Sequence, residues 1–251
     1  MTIQSEVIGS HLLFLDEVDS TSVKLQQMVR ATSLAEGYTV RANFQSEGRG
    51  QMGSLWISSP HKNLLFSFAL YPKFMMPERQ FGLNVAISLG IFDVVDHYFP
   101  NKISLKWPND IMLDGNKIGG ILIQNSIQSD RIVNSIIGIG LNVNQDSFPP
   151  LLKNAGSFYI HSGKAFDLEN IYQELITSLN IRYKEFKDGQ EQEQRKFYQS
   201  KLFRLDEPNF YRLGDHFVEG VVRGVNNEGQ LMLEIEGIMY FLNNKEVEFI
   251  Y

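Results

Sequence analysis

The sequence predicts an α+β fold, a mixed sheet flanked by helices and followed by a small β-barrel. Over residues 11–200, strand-like apolar runs alternate with helical periodicities. From about Phe210 the pattern changes to short strands separated by turn residues, at Gly214-Asp215, Asn226-Asn227-Glu228-Gly229 and Glu236-Gly237. The composition, 43% hydrophobic and 21% charged over 251 residues, is that of a globular chain able to bury a large core. A boundary near Asp206-Glu207-Pro208 divides it into a larger domain, 1–206, and a smaller one, 207–251.

Residues 11–15 read as a first strand. Asp19-Ser20-Thr21-Ser22 then offers N-cap side chains to a helix carrying Val23, Leu25, Met28 and Val29. Residues 38–44 read as a strand from their Tyr, Val and Phe content, and residues 63–71 as a buried strand. Pro77 opens a longer helix, with one apolar face of Phe81, Val85, Leu89, Phe92, Val95 and Phe99. Strands at 103–107 and 111–113 flank Pro108-Asn109-Asp110, and Asp114-Gly115 signals a hairpin. Strands at 117–124 and 131–143 follow. Asp167 is placed to cap a helix bearing Leu168, Ile171, Leu175, Leu179 and Tyr183, and residues 189–195 belong to a second, mostly exposed helix.

Several function classes are excluded early. There is no cysteine, hence no disulfide, thiolate zinc site or cysteine nucleophile. The net charge of −6 gives no general attraction to nucleic acid or anionic membrane. No apolar run approaches the roughly 20 residues that span a bilayer, and the start carries no leader pattern, so a cytoplasmic protein is expected. The five histidines show no metal spacing.

Four segments could carry chemistry. Gly48-Arg49-Gly50-Gln51-Met52-Gly53 is formally G-x-G-x-x-G. Pro60 and the Trp-Ile content that follow argue against the helix a dinucleotide site requires, and residues 70–76 lack the acidic partner. Its glycines would let backbone approach an anion, with Arg49 as a charged donor; a plain flexible turn is the other reading. Lys106-Trp107-Pro108-Asn109-Asp110 places a cation, an amide and a carboxylate together, which suits phosphate and Mg2+, or forms an ordinary Asx turn. Lys117 precedes Gly119-Gly120, a pair that allows close ligand approach or marks a bulge. Gly138-Ile139-Gly140-Leu141-Asn142-Val143-Asn144 clears one sheet face beside two asparagines.

Together, in this order, the segments resemble the biotin protein ligase family. The resemblance is carried by residues 19–22, Gln45, GRGQMGSLW at 48–56, KWPNDI at 106–111, NKIGGIL at 116–122 and GIGLNVN at 138–144. It implies a class II synthetase-like biotin/lipoate ligase domain followed by an SH3-like barrel. It also implies a two-step reaction. Biotin carboxylate attacks the α-phosphorus of ATP, releasing pyrophosphate and giving biotinyl-5′-AMP; a lysine amine of a biotin carboxyl carrier protein domain then attacks this anhydride. By motif position, Ser20, Thr21, Gln45, Gly48, Arg49, Lys117, Gly119 and Gly120 resemble biotin contacts. Arg49, Gly50, Gly53, Trp56, Asn109 and Asn142 resemble ATP contacts, with Trp56 read equally as core filler. Lys117, Arg49 and Asp110 would be catalytic, and Asp110 would hold Mg2+.

The chain departs from the family at Gln51 and Ser54, where members often carry arginine; two charged contacts to the adenylate are then missing. The first motif starts at Asp19, so a ligase-only form without a DNA-binding domain is expected, with no DNA or membrane partner and with a homodimer allowed. A lipoate ligase on the same fold and a non-enzymatic biotin-binding regulator are the alternatives.

Overall fold

The apolar run at residues 63–71 forms strand β3 (Asn63–Leu70), buried along its whole length. The computed structural model describes residues 7–251; the expectation of a leaderless start falls partly on residues 1–6, outside those described. Around β3 lie β1 (Leu12–Val18), β2 (Thr39–Gln45), β4 (Ile103–Lys106), β5 (Asp110–Leu113), β6 (Asn116–Gln128) and β7 (Arg131–Asn142). They form one seven-stranded sheet in the order β1-β2-β3-β7-β6-β5-β4. Only β1 and β2 run parallel, because helix α1 (Thr21–Ala31) crosses between them. The β5–β6 hairpin turns at Asp114 and Gly115, both at positive φ (46° and 79°), as the Asp-Gly pair predicts.

The strands sort their side chains onto two faces. Leu64, Phe66, Phe68 and Leu70 of β3, with Ile137, Ile139 and Leu141 of β7, enter the main core. That core is closed by α2 (Gln80–Tyr98) and α4 (Leu168–Lys187). On the other face Ala69, Val40 and Ile136 meet Leu25 of α1. α1 packs on β2, β3 and β7, and beyond it Gly138, Gly140 and Gly120 leave the sheet without side chains. Asp167 caps α4 as expected, accepting from the N–H groups of Glu169 (2.8 Å) and Asn170 (3.1 Å).

Local structure departs from the sequence pattern in five places. Ser20 stands at the N-cap of α1, but its hydroxyl pairs with that of Ser22 (3.0 Å) instead of capping. Pro77 opens a short 3-10 turn, Pro77–Arg79, and α2 starts one residue later. α2 has no single apolar face: every residue from 81 to 95 except Asp93 is buried, because α4 and α5 (Glu191–Ser200) cover the side away from the sheet. α5 is also more buried than its polar sequence indicated. Glu191 and Gln194 are inside, with Glu191 accepting from Arg195 Nε (2.9 Å) and Arg79 Nε (3.1 Å). A short α3 (Phe158–Ser162), capped by Ser157, was not foreseen.

The tail forms β8 (Pro208–Leu213), β9 (His216–Val225), β10 (Leu231–Ile235), β11 (Ile238–Leu242) and β12 (Glu248–Phe249). They make an antiparallel five-stranded sheet in the order β11-β10-β9-β8-β12, which fits a small barrel-like domain. Its inner residues Tyr211, Val222, Leu231 and Leu233 join the same core cluster as β3 and α2. Polar ties cross the seam. Trp107 Nε1 donates to Gly229 O (2.8 Å), and Gln199 bonds both backbone groups of Val225 (3.0 and 3.2 Å). No helix among the described residues is long and apolar enough to cross a membrane.

Replacing Glu191 by alanine strands two arginines beside a buried position. A loss of about 2 kcal/mol in urea-unfolding stability is expected, since both guanidinium partners are only partly shielded. A loss below about 0.5 kcal/mol would mean that solvent already screens both pairs.

Candidate active site on the open sheet face

The bare strip of sheet floors a cleft of about 350 Å³. Its floor follows the strand register. Ser67, Gly138 and Leu122 form one cross-strand row. One side-chain pitch further, roughly 7 Å along the strands, lie Gly140, Gly120 and Asp110. Trp56 lies flat over the second row: a Cβ at Gly140 would sit 2.4 Å from its ring, and one at Gly120 3.1 Å. Those two glycines are needed for close approach of the indole. Trp56 therefore lies over the cleft floor and is not core filler.

The first end of the cleft is polar and buried. Ser20, Thr21, Ser22, Gln45 and Ser67 are all at most 9% exposed and all line it. Gln45 Oε1 accepts from Thr21 N (2.8 Å) and from Thr21 Oγ1 (2.9 Å), so it does the capping that Ser20 does not. Thr21 Oγ1 also meets Ser67 Oγ at 2.8 Å.

The second end carries charge. Lys117 Nζ is 2.6 Å from Asp110 Oδ1 and 5.8 Å from the centre of the Trp56 ring. The Lys117 backbone is pinned on both sides, its N–H to Asn154 O (2.7 Å) and its carbonyl to Gly156 N (2.8 Å). The ammonium is therefore delivered from a rigid strand start, with two of its three protons beyond Asp110 left to donate. Arg49 lines the cleft from the glycine loop and has no carboxylate partner among the described residues. Lys106 also faces in, stacked over Phe249 (4.9 Å) and Tyr251 (5.1 Å); burial pushes its ammonium pKa down, against the pull of Asp110. Arg49, Lys106, Lys117 and Lys245 line the cleft against the carboxylates of Asp110 and Glu248, an excess of positive charge suited to a polyanion.

Most of the expected residues meet here. Ser20, Thr21, Gln45, Arg49, Gly50, Trp56, Asn109, Asp110, Lys117 and Gly120 line the one cleft. Gly48 lies beside it, where a Cβ would strike Trp56 O at 2.4 Å and crowd Gln45 Nε2 at 3.1 Å. Asn109 is partly spoken for, donating its Nδ2 to Ile121 O. Three positions fall outside. Gly119 faces Leu141 and Ile111 on the core side, because neighbouring strand residues alternate. Gly53 lines the outer flank of the loop. Asn142 lines a separate cavity of about 80 Å³ behind Trp56 and Lys117, its Nδ2 donating to Gly156 O and its Oδ1 buried without a partner. Sequence reasoning did not single out Ser67 or the turn between β11 and β12, whose Asn244 and Lys245 reach the cleft mouth, and named Ser22 only within the segment 19–22.

That turn explains Gln51 and Ser54. Gln51 Oε1 accepts from Asn244 Nδ2 (2.7 Å), and Met52 O accepts from Lys245 Nζ (3.4 Å). Ser54 Oγ donates back to Gln51 O (2.6 Å) and closes the turn of the loop. Both residues line the cleft, but their polar groups are engaged in these bonds.

For Mg2+, Asp110 is a fitting but partial ligand. No cluster of three or more His, Cys, Asp or Glu exists among the described residues. Mg2+ commonly takes one or two carboxylates and completes its shell with phosphates and water, so a single aspartate beside a nucleotide site is consistent with it.

The chain matches the Biotin/lipoate A/B protein ligase family over residues 14–142 and belongs to it. Its fold is similar to that of the biotin protein ligase from Aquifex aeolicus in complex with biotin and ATP. The TM-score is 0.80 and the identity 28%, over 96% of this chain and 98% of that one. In sequence it is 29% identical over 240 residues to the bifunctional ligase/repressor BirA of Bacillus spizizenii, spanning 94% of this chain and 73% of that protein. It is 27% identical over 237 residues to the biotin--[acetyl-CoA-carboxylase] ligase of Mycobacterium tuberculosis, over 91% and 86% of the two.

The Asn244–Gln51 bond should hold the glycine loop. Asn244→Ala is expected to speed tryptic cleavage after Arg49 by roughly fivefold, the population change from losing one exposed neutral hydrogen bond. An unchanged cleavage rate would show that the loop is held by its own turn alone.

Proposed function

We propose that this protein activates biotin with ATP to biotinyl-5′-AMP and transfers the biotinyl group to a lysine of a biotin carboxyl carrier protein domain. The observation that carries the reading is the order of groups along one cleft. A buried polar end lies one strand pitch from a cationic end, over a floor cleared by glycines and beneath Trp56. A substrate with a polar head and a distant carboxylate fits that order, and the cations stand where its carboxylate would meet the α-phosphate. Two anions repel as they approach; fixed positive charge lowers that cost in the transition state.

Within this reading each residue has a task. Ser20, Thr21 and Gln45 hold the head of biotin. Lys117, already directed into the cleft by Asp110, moves a donor onto the carboxylate and α-phosphate. Arg49 and the backbone of the glycine loop cover the nucleotide. Trp56 excludes water from the anhydride, which hydrolysis would otherwise destroy. Asn142, with its unpartnered Oδ1, faces the space behind Trp56 and takes the nucleotide there. Asp110 would hold Mg2+, which when bound neutralises charge between phosphate oxygens. Residues 1–206 form the catalytic domain and 207–251 a second domain that contributes Asn244 and Lys245 to the cleft mouth. We read the protein as cytoplasmic, where ATP and a carrier protein would be met.

Incubation with ATP, Mg2+ and either biotin or lipoate tests the reading. Pyrophosphate release with biotin alone is expected; release with lipoate alone would assign the protein to the other branch of the family. Lys117→Ala is expected to slow biotin-dependent pyrophosphate release roughly a hundredfold, about 3 kcal/mol of lost transition-state stabilisation. A rate within threefold of the parent would remove Lys117 from the reaction.

A further inference from the structure

Lys106 stands in the cleft with the two carboxylates that attract it already taken. Asp110 pairs with Lys117 at 2.6 Å, and Glu248 pairs with Arg212. Neither closes an ion pair with Lys106. What its ammonium does meet is two ring faces, Phe249 at 4.9 Å and Tyr251 at 5.1 Å. Burial pushes its pKa down, so the charge has lost part of its hydration. A sheltered ammonium held against rings keeps most of its attraction for an incoming anion.

The rings are themselves fixed. Phe249 is the register partner of Tyr211 and meets its ring edge-on at 5.2 Å. Ile250 donates its N–H to Phe210 O (3.2 Å) and accepts from Arg204 Nη1 (2.8 Å). Tyr251 stacks on Phe203 at 6.2 Å, with the Arg204 guanidinium 5.0 Å from its ring centre. Phe203 in turn donates its N–H to the carbonyl of Leu105 (2.9 Å), the residue before Lys106. The ring cage and the strand that delivers Lys106 are therefore tied across the seam between the two sheets.

The strand register places this unit along the cleft. Gly140, Gly120, Asp110 and Lys106 form one cross-strand row. Lys117 Nζ lies over Gly120, 3.7 Å from where a Cβ would stand. Lys106 starts two strands beyond Gly120 on the side away from Gly140, roughly 10 Å further. With the α-phosphate at Lys117 and the base behind Trp56, the two outer phosphates extend towards Lys106.

We infer that Phe249 and Tyr251 are positioning residues that hold Lys106 for the departing pyrophosphate. This rests on the reading that ATP is cleaved to give biotinyl-5′-AMP. As the carboxylate oxygen bonds to the α-phosphorus, the bond from phosphorus to the bridging oxygen breaks, and its electron pair leaves on pyrophosphate. Lys106 meets that growing charge. The rings fix where the ammonium stands and leave its charge unneutralised, without touching the reacting atoms.

The test separates the two half-reactions in the full chain. Biotin-dependent exchange of labelled pyrophosphate into ATP reads the first. Transfer from synthetic biotinyl-5′-AMP to a carrier domain reads the second, in which no pyrophosphate takes part. The variants are Tyr251→Ala, Tyr251→Phe, Lys106→Ala and the double variant; Tyr251→Leu carries the test if the alanine variant does not fold. Tyr251→Ala is expected to slow exchange about fivefold, the loss of one partly desolvated cation–π contact, and to raise the KM for pyrophosphate more than that for biotin. Tyr251→Phe restores exchange to within about twofold, because the ring remains. Transfer from biotinyl-5′-AMP stays at the parent rate in both. In the Lys106→Ala background, Tyr251→Ala slows exchange no further. Equal slowing of both half-reactions would show a merely structural role. An undiminished effect in the absence of Lys106 would show that the ring does not act through it. Either result overturns the inference alone. A parent that exchanges no pyrophosphate with biotin would overturn the functional reading, and this inference with it.

Discussion

One stretch of sheet face without side chains governs the rest of the molecule. The seven-stranded sheet has two faces, and a protein of this size would normally cover both. Here α2 and α4 fill one, and α1 fills only part of the other. Gly138, Gly140 and Gly120 occupy the remainder, where alternate side chains would otherwise project. Glycine in a strand costs roughly 0.5–1 kcal/mol relative to alanine through lost conformational freedom. Three such positions in one patch are a standing cost that the fully buried β3 and the continuous core beneath it offset. The open floor can then accept an indole from above, and ligand atoms between.

Charge is arranged by the same geometry. Asp110 and Gly120 are register partners, so Asp110 stands at the edge of the bare row, and Lys117 reaches it from the start of the neighbouring strand. A half-exposed ion pair of this kind contributes little stability. Its use lies in position: the carboxylate holds a long, otherwise mobile side chain in the cleft and can be exchanged for a stronger anion. Lys106 is held differently. Phe249 and Tyr251 stack on it, while Asp110 and Glu248 attract it without closing an ion pair.

How legible all this was in the sequence depends on where the information resides. The strands, the Asp114-Gly115 hairpin and the Asp167 cap were readable because each is set by residues within a few positions of one another. The four site segments were readable because glycines and charges interrupt apolar runs there. The burial of α5 was not readable: Glu191 and Gln194 look exposed by type and are inside because Arg79 and the Arg182 carbonyl arrive from elsewhere, with Arg195 one turn along α5 adding a partner for Glu191. Gly119 was placed in the site with Gly120, but strand alternation sends the two to opposite faces. Ser67 did leave a signal. It is the one polar residue in the apolar run at 64–71, and a buried hydroxyl there must be paired or aimed at a ligand. The pairing of Gln51 with Asn244 left none, because it joins positions 193 residues apart.

That last contact bears on what a covering loop must do. In the proposed reaction the loop has to admit biotin and ATP, shut over an anhydride that water would hydrolyse, and open again to the acceptor lysine. A charged side chain at position 51 bonded to the intermediate would close the loop in proportion to occupancy of the cleft. Gln51 is instead engaged with a neighbouring element, by a neutral, exposed hydrogen bond. Such a bond is worth about 1 kcal/mol, which shifts a two-state equilibrium roughly fivefold and no more. It biases the loop towards closure without locking it. In the proposed reaction retention of the intermediate then falls to Arg49, Lys117 and the cover of Trp56, and the turn between β11 and β12 would act by presetting the loop rather than by touching the reacting atoms.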